Sequence, residues 1–159
     1  MPNLTSNSPR TFQGDAPAGS VVPFSLAANL KLWEGAAVMH DSGNGSLINC
    51  VPTASGLFAG FCIEEVDNLT GSVAGGALAA VTAQVQTHGL VWLTVAALTT
   101  WGRSLVNQTV YASDGDSFTL AAGTNNILIG KVVLVPEAAI GAASAMVLVA
   151  FEASSMRSL

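Results

Sequence analysis

Apolar positions fall in short runs separated by Gly, Asp, Asn and Ser, and two runs near the C-terminal end dominate: Ile127 to Val135 and Ala145 to Phe151. The first, ILIGKVVLV, is too short for an ordinary all-apolar helix and rich in β-branched residues, which predicts a central strand. Pro136 removes a backbone donor where the run stops, so the strand ends there. The second run returns after a small-residue loop. Together they predict a long hairpin, apolar on both faces and needing cover on both.

A weaker copy of this phrase stands earlier. Leu57-Phe58-Ala59-Gly60-Phe61-Cys62-Ile63 aligns with Ile127 to Val133 at an offset of 70, Gly upon Gly. Ahead of each lies a short strand and a turn: Ala37 to His40 with Asp41-Ser42-Gly43-Asn44-Gly45, and Thr109 to Ala112 with Ser113 to Ser117. Two copies at this long period are too few for a solenoid, so the chain reads as one duplicated domain.

Elsewhere the pattern predicts one or two short strands between Ser20 and Leu32, with Pro23 placing the first at an edge. Strands follow over 36–40, 46–51 and 57–66, the last two expected to pair as a hairpin. Asp67 to Ala80 is small and glycine-rich, either a connector or a close-packing surface between subunits. Val81 to Thr87 alternates as a half-exposed strand, His88-Gly89 is a turn or bulge, and Leu90 to Val95 is a strand. Ala96 to Thr100 suits one helical turn. The expected fold is all-β: a compact single-domain barrel or sandwich of two related β units over 21–153, with an extended N-terminal arm at 1–20 and a C-terminal tail at 154–159. The arm, with Leu4 and Phe12 as its apolar anchors, either packs on its own domain or lies across a partner.

Composition sharpens this picture at one point. Of 159 residues, 50% are hydrophobic and only 9% are charged, well below the roughly 25% of an ordinary soluble domain. A surface so poor in charge is expected to hide against other subunits, ahead of the alternative of a monomer coated in Ser, Thr, Asn and Gly. The net charge of −5 and five scattered cations leave no basic stripe for nucleic acid. No membrane-spanning helix and no secretory leader are expected. The sequons at Asn3, Asn68 and Asn107 carry little weight. Cys50 and Cys62 are expected to be two reduced, buried thiols beyond disulfide reach of each other.

Chemistry is sparse. His40 and His88 lack metal-ligand spacing to any Cys or carboxylate, and no Gly-x-Ser-x-Gly elbow, P-loop or dinucleotide motif occurs. Glu64 and Glu65, adjacent on a strand, point to opposite faces and cannot share a proton. Asp114-Gly115-Asp116 resembles half a calcium loop without its distal Glu, and reads better as a hairpin turn. Trp33, Trp92 and Trp101 could line a sugar pocket, but no convergent polar set accompanies them. The expectation is a protein that is not an enzyme and holds no cofactor or metal.

One resemblance fits these features. The stretch Thr87-His88-Gly89-Leu90-Val91-Trp92-Leu93, then Gly102 to Tyr111, the Asp-Gly turn, Asn125 to Val132 and a closing strand resemble, in order and spacing over about 16–152, the capsid decoration or head cement proteins of tailed bacteriophages. This chain departs from that family in its polar arm, in Ala112 where an aromatic is common, and in its glycine-rich 71–80 segment. The resemblance implies an all-β homotrimer on the outer surface of the virion head, made in the host cytoplasm, whose partner is the phage major capsid protein. No nucleic acid or membrane partner is implied. Capsid contacts are then expected from Leu4, Arg10 and Phe12 on the arm, and subunit contacts from Trp33, Trp92 and Trp101, with all three tryptophans in the core as the equal alternative. A tail, fibre or baseplate protein is the alternative, followed by a small-ligand or glycan-binding β domain.

Overall fold

A computed structural model describes residues 4–14, 20–53 and 56–156 of the chain. It is all-β, with twelve strands and three short 3-10 turns. The first unit holds β1 (Val21–Ser25), β2 (Leu30–Leu32), β3 (Ala37–His40), β4 (Leu47–Asn49), β5 (Leu57–Cys62), β6 (Val66–Asn68) and β7 (Thr82–Gln86). The second holds β8 (His88–Ala96), β9 (Thr109–Ala112), β10 (Phe118–Thr119), β11 (Ile127–Leu134) and β12 (Ser144–Glu152).

The duplication extends to hydrogen-bond register. The first sheet runs β1-β7-β5-β3-β4, and the second runs β8-β12-β11-β9-β10 and closes into a barrel through a parallel β10–β8 pair. In the first, Val38 opposes Gly60 and Met39 opposes Phe58, leaving Ala59 in a bulge. In the second, Val110 opposes Gly130 and Tyr111 opposes Leu128, leaving Ile129 in a bulge. Even the closure is repeated, as a single parallel bridge from Leu26 to Leu47 in the first unit and as Val95 to Phe118 in the second. The pair β2–β6 lies outside the five-stranded sheet of the first unit.

Interior residues explain why both units form and why they differ. Leu26, Val38, Leu47, Ala59, Cys62, Ala83 and Val85 fill the first; at the matching places the second carries Val95, Val110, Phe118, Ile129, Val132, Val147 and Val149. Larger side chains at four of these seven positions give the second barrel the fuller core. The outer face of the first sheet is apolar as well: Ala37, Met39, Cys50, Phe58 and Phe61 join the core of the second barrel, so the units share one continuous core.

Three expectations change. Strand β4 pairs with β3, not with β5, because β3 lies between them. Cys50 and Cys62 are nevertheless both buried and free, and they sit on opposite faces of the sheet, in separate clusters. The β11–β12 hairpin forms, but its outer face is only partly covered by the described residues: Leu148, opposite Trp92, is buried, while Leu128, Val133, Leu134 and Met146 are exposed. Residues 98–100 form a bend, since no run of i to i+4 bonds continues there.

Candidate interaction surface

The groups that might have carried chemistry are occupied separately. Asp114 Oδ1 accepts from the Asp116 and Ser117 amides at 2.8 Å each, which closes the turn as a hairpin connection. Glu64 accepts from the Gln84 amide at 2.7 Å. Glu65 instead meets Lys31 at 2.7 Å and Asn7 at 2.8 Å. The hydrogen bond from Lys31, followed by that from Asn7, holds the Glu65 carboxyl below the ordinary range. His40 Nδ1 is 3.0 Å from the Gly45 carbonyl, and His88 Nδ1 is 3.2 Å from Thr87 Oγ1. Among the described residues no group of three or more His, Cys, Asp or Glu gathers where a metal could sit. Burial pushes the Cys50 thiol far up and the Cys62 thiol to about 11, so neither is a ready nucleophile.

The arm residues expected to reach a capsid are committed to their own chain. Thr11 and Gln13 pair with β8, the Trp92 amide donating to Thr11 and the Gln13 amide to the Leu90 carbonyl, both at 2.9 Å. That pairing puts the Phe12 ring 6.4 Å from Phe61 and 6.0 Å from Phe151. Arg10 Nε donates to the Gly35 carbonyl at 2.7 Å, and its guanidinium also pairs with Asp116 and lies over the Phe118 ring at 5.2 Å. Leu4 packs against the core of the first unit. Arg10 and Phe12 therefore staple the two units together. Sequence could not separate this outcome from a partner contact, because both need the same apolar and cationic anchors.

The tryptophans divide. Trp101 is 2% exposed and its Nε1 donates to the Val95 carbonyl at 2.9 Å, which corrects its expected subunit contact: a ring sealed in the core cannot reach a neighbour. Trp33 is half-buried beneath Lys31, whose Nζ stands 4.0 Å from the ring. Trp92 is half-buried on the outer wall of the second barrel, with Nε1 donating to Gln13 at 3.2 Å.

That wall includes the outer face of the hairpin that the sequence expects to need cover. At one end of the β11–β12 hairpin, Trp92, Pro136, Ala138, Ala139, Ala145 and Met146 line a shallow groove of about 290 Å³, with exposed Leu134 and Ile140 on the same hairpin and its connection. At the other end, Thr109, Leu128, Lys131, Ala150, Phe151 and Glu152 line a second groove of about 500 Å³. The signal was present in ILIGKVVLV, whose outward Leu128, Val133 and Leu134 are apolar like its inward residues, with Lys131 as the outward charge. Among the described residues no helix is long and apolar enough to cross a membrane. The chain matches no protein-family model, and no curated protein matches it.

Proposed function

We propose that this protein is a non-enzymatic structural subunit that decorates the outer surface of a tailed-phage head and cements neighbouring major capsid proteins. One observation carries the adhesive part of the reading: a closed barrel presents the Trp92–Met146 groove with Leu134 and Ile140 to solvent. Clustered apolar exposure on a rigid wall marks a docking surface. The order of motifs from Thr87 to Val132 supplies the phage head as the assembly. The dispersal of Trp33, Trp92 and Trp101 favours this reading over a glycan site, which needs rings converging on polar groups.

The test is cryo-electron microscopy of heads assembled without this protein and then incubated with it. Density on the outer head surface is expected, and Met146→Glu should abolish it while leaving the thermal midpoint unchanged. Density at the tail, or decoration by the Glu variant equal to that of the wild type, overturns the reading.

A further inference from the structure

Within one chain, the outer face of β3 and β5 caps one end of the second barrel. Phe61 meets Phe151 at 5.0 Å and Phe118 at 6.0 Å, while Phe58 meets Phe151 at 6.4 Å. The Ala37 amide donates to the Gly115 carbonyl at 2.8 Å, and Gly56 lies close against the Ile127 side chain. On the capping face Phe58 is 0% exposed, and at the capped end Ile127 is 3% exposed.

The duplication copies both halves of this contact onto the same molecule. Registers place Thr109, Tyr111, Leu128 and Lys131 where the first unit has Ala37, Met39, Phe58 and Phe61, and place His40 and Leu57 where the second has Ala112 and Ile127. Both copies face solvent. Leu128, the counterpart of Phe58, is 38% exposed, and Leu57, the counterpart of Ile127, is 55% exposed. The groove of about 500 Å³ opens beside Leu128. Lys131 and Glu152 both line that groove, so the Leu128 face carries one charge of each sign around an apolar centre.

We infer that copies of this chain associate head to tail: the face around Leu128 of one copy caps the open end around Leu57 and His40 of the next, repeating between chains the contact that joins the two units within one. A face meeting an end is a heterologous contact, so successive copies form a ring if the rotation closes and a filament if it does not. The occupant is a second copy because this molecule already shows what its own fold does with the equivalent surfaces.

The experiment is native mass spectrometry of the isolated full-length protein, without heads. The wild type is expected at a multiple of 16.1 kDa. Leu57→Glu and Leu128→Glu are each expected to fall to a single chain with an unchanged far-UV circular dichroism spectrum; should Glu unfold either, Leu57→Asn and Leu128→Asn give the same readout. Mixed one to one, the two variants retain one intact face and one intact end between them, so they should form a dimer and nothing larger. A single-chain wild type, variants that keep the wild-type mass, or a mixture that stays monomeric overturns the proposal. Because no head is present, any of these results can coexist with head decoration, and loss of head binding by a normally assembling protein would sink the virion reading alone.

Discussion

Gly60 and Gly130 stand next to the same bulge in the two units, and each has a cross-strand carbonyl where a side chain would begin: an added Cβ would lie 2.1 Å from the Gln86 oxygen at Gly60 and 1.9 Å from the Ala150 oxygen at Gly130. Neither oxygen can move without breaking its own ladder. The repeated glycine in the sequence is therefore a repeated backbone constraint.

Gly60→Ala and Gly130→Ala should each lower stability by about 1–3 kcal/mol, the usual range for forcing extra atoms into a packed site. Gly60→Ala should be the worse, since φ there is +141° and strain adds to the clash. Urea midpoints measure this, and an unchanged midpoint at both positions would refute it.

Phe12→Ala should destabilise the protein even though the residue lies in the N-terminal segment. Its ring contacts Phe61 and Phe151 but is only partly buried, so a loss of about 2–3 kcal/mol is expected, below the 3–5 of a fully enclosed ring. If instead the variant melts with the wild type, the arm is not the staple described above.

Cys62 sets an alkaline limit on stability. Its thiol is about 11 in the folded chain against an ordinary 9.0, because burial disfavours the thiolate. Below pH 9 both states keep the proton and the contribution is whole. As pH rises towards 11 the unfolded chain ionises first, so stability falls by up to about 2–3 kcal/mol. Urea unfolding at pH 8 and pH 11 should show this drop, and Cys62→Ala should remove that part of it.

Pro23 guards an edge. Registers place it where the second unit has Trp92, whose amide holds the arm. Proline has no such donor, so nothing can add to β1 as the arm adds to β8. Pro23→Val should restore the donor and increase association in dynamic light scattering at unchanged pH and salt. No increase would mean the edge is blocked by something else.

Trp101 should resist iodide quenching while Trp33 and Trp92 yield to it, as their burial requires. Trp101→Phe should abolish the unquenchable fraction of the emission. If that fraction survives, another tryptophan supplies it.

Much of the fold was legible because β structure writes itself locally. The glycine-centred phrases at 57–63 and 127–133, the turn residues at 41–45 and 113–117, and Pro23 and Pro136 each fix backbone geometry through their own chemistry. Pairing was less legible. Nothing in Leu47–Asn49 says that it joins β3 and not β5, because both partners present the same kind of apolar alternation. The interaction surface was legible only as a surplus of apolar residues.

By itself the sequence determined two related all-β units, their strand-ending prolines and bulge glycines, and a chain with too few charges to coat an ordinary surface. Local steric and hydrogen-bonding preferences decide these, and they are carried by neighbouring residues. Only the tertiary structure decided that the arm folds back across both units, that Trp101 is sealed while Leu57 and Leu128 are not, and which apolar face is covered. Those outcomes depend on which sheet lies against which barrel end, a relationship between residues far apart in the chain that no local pattern records.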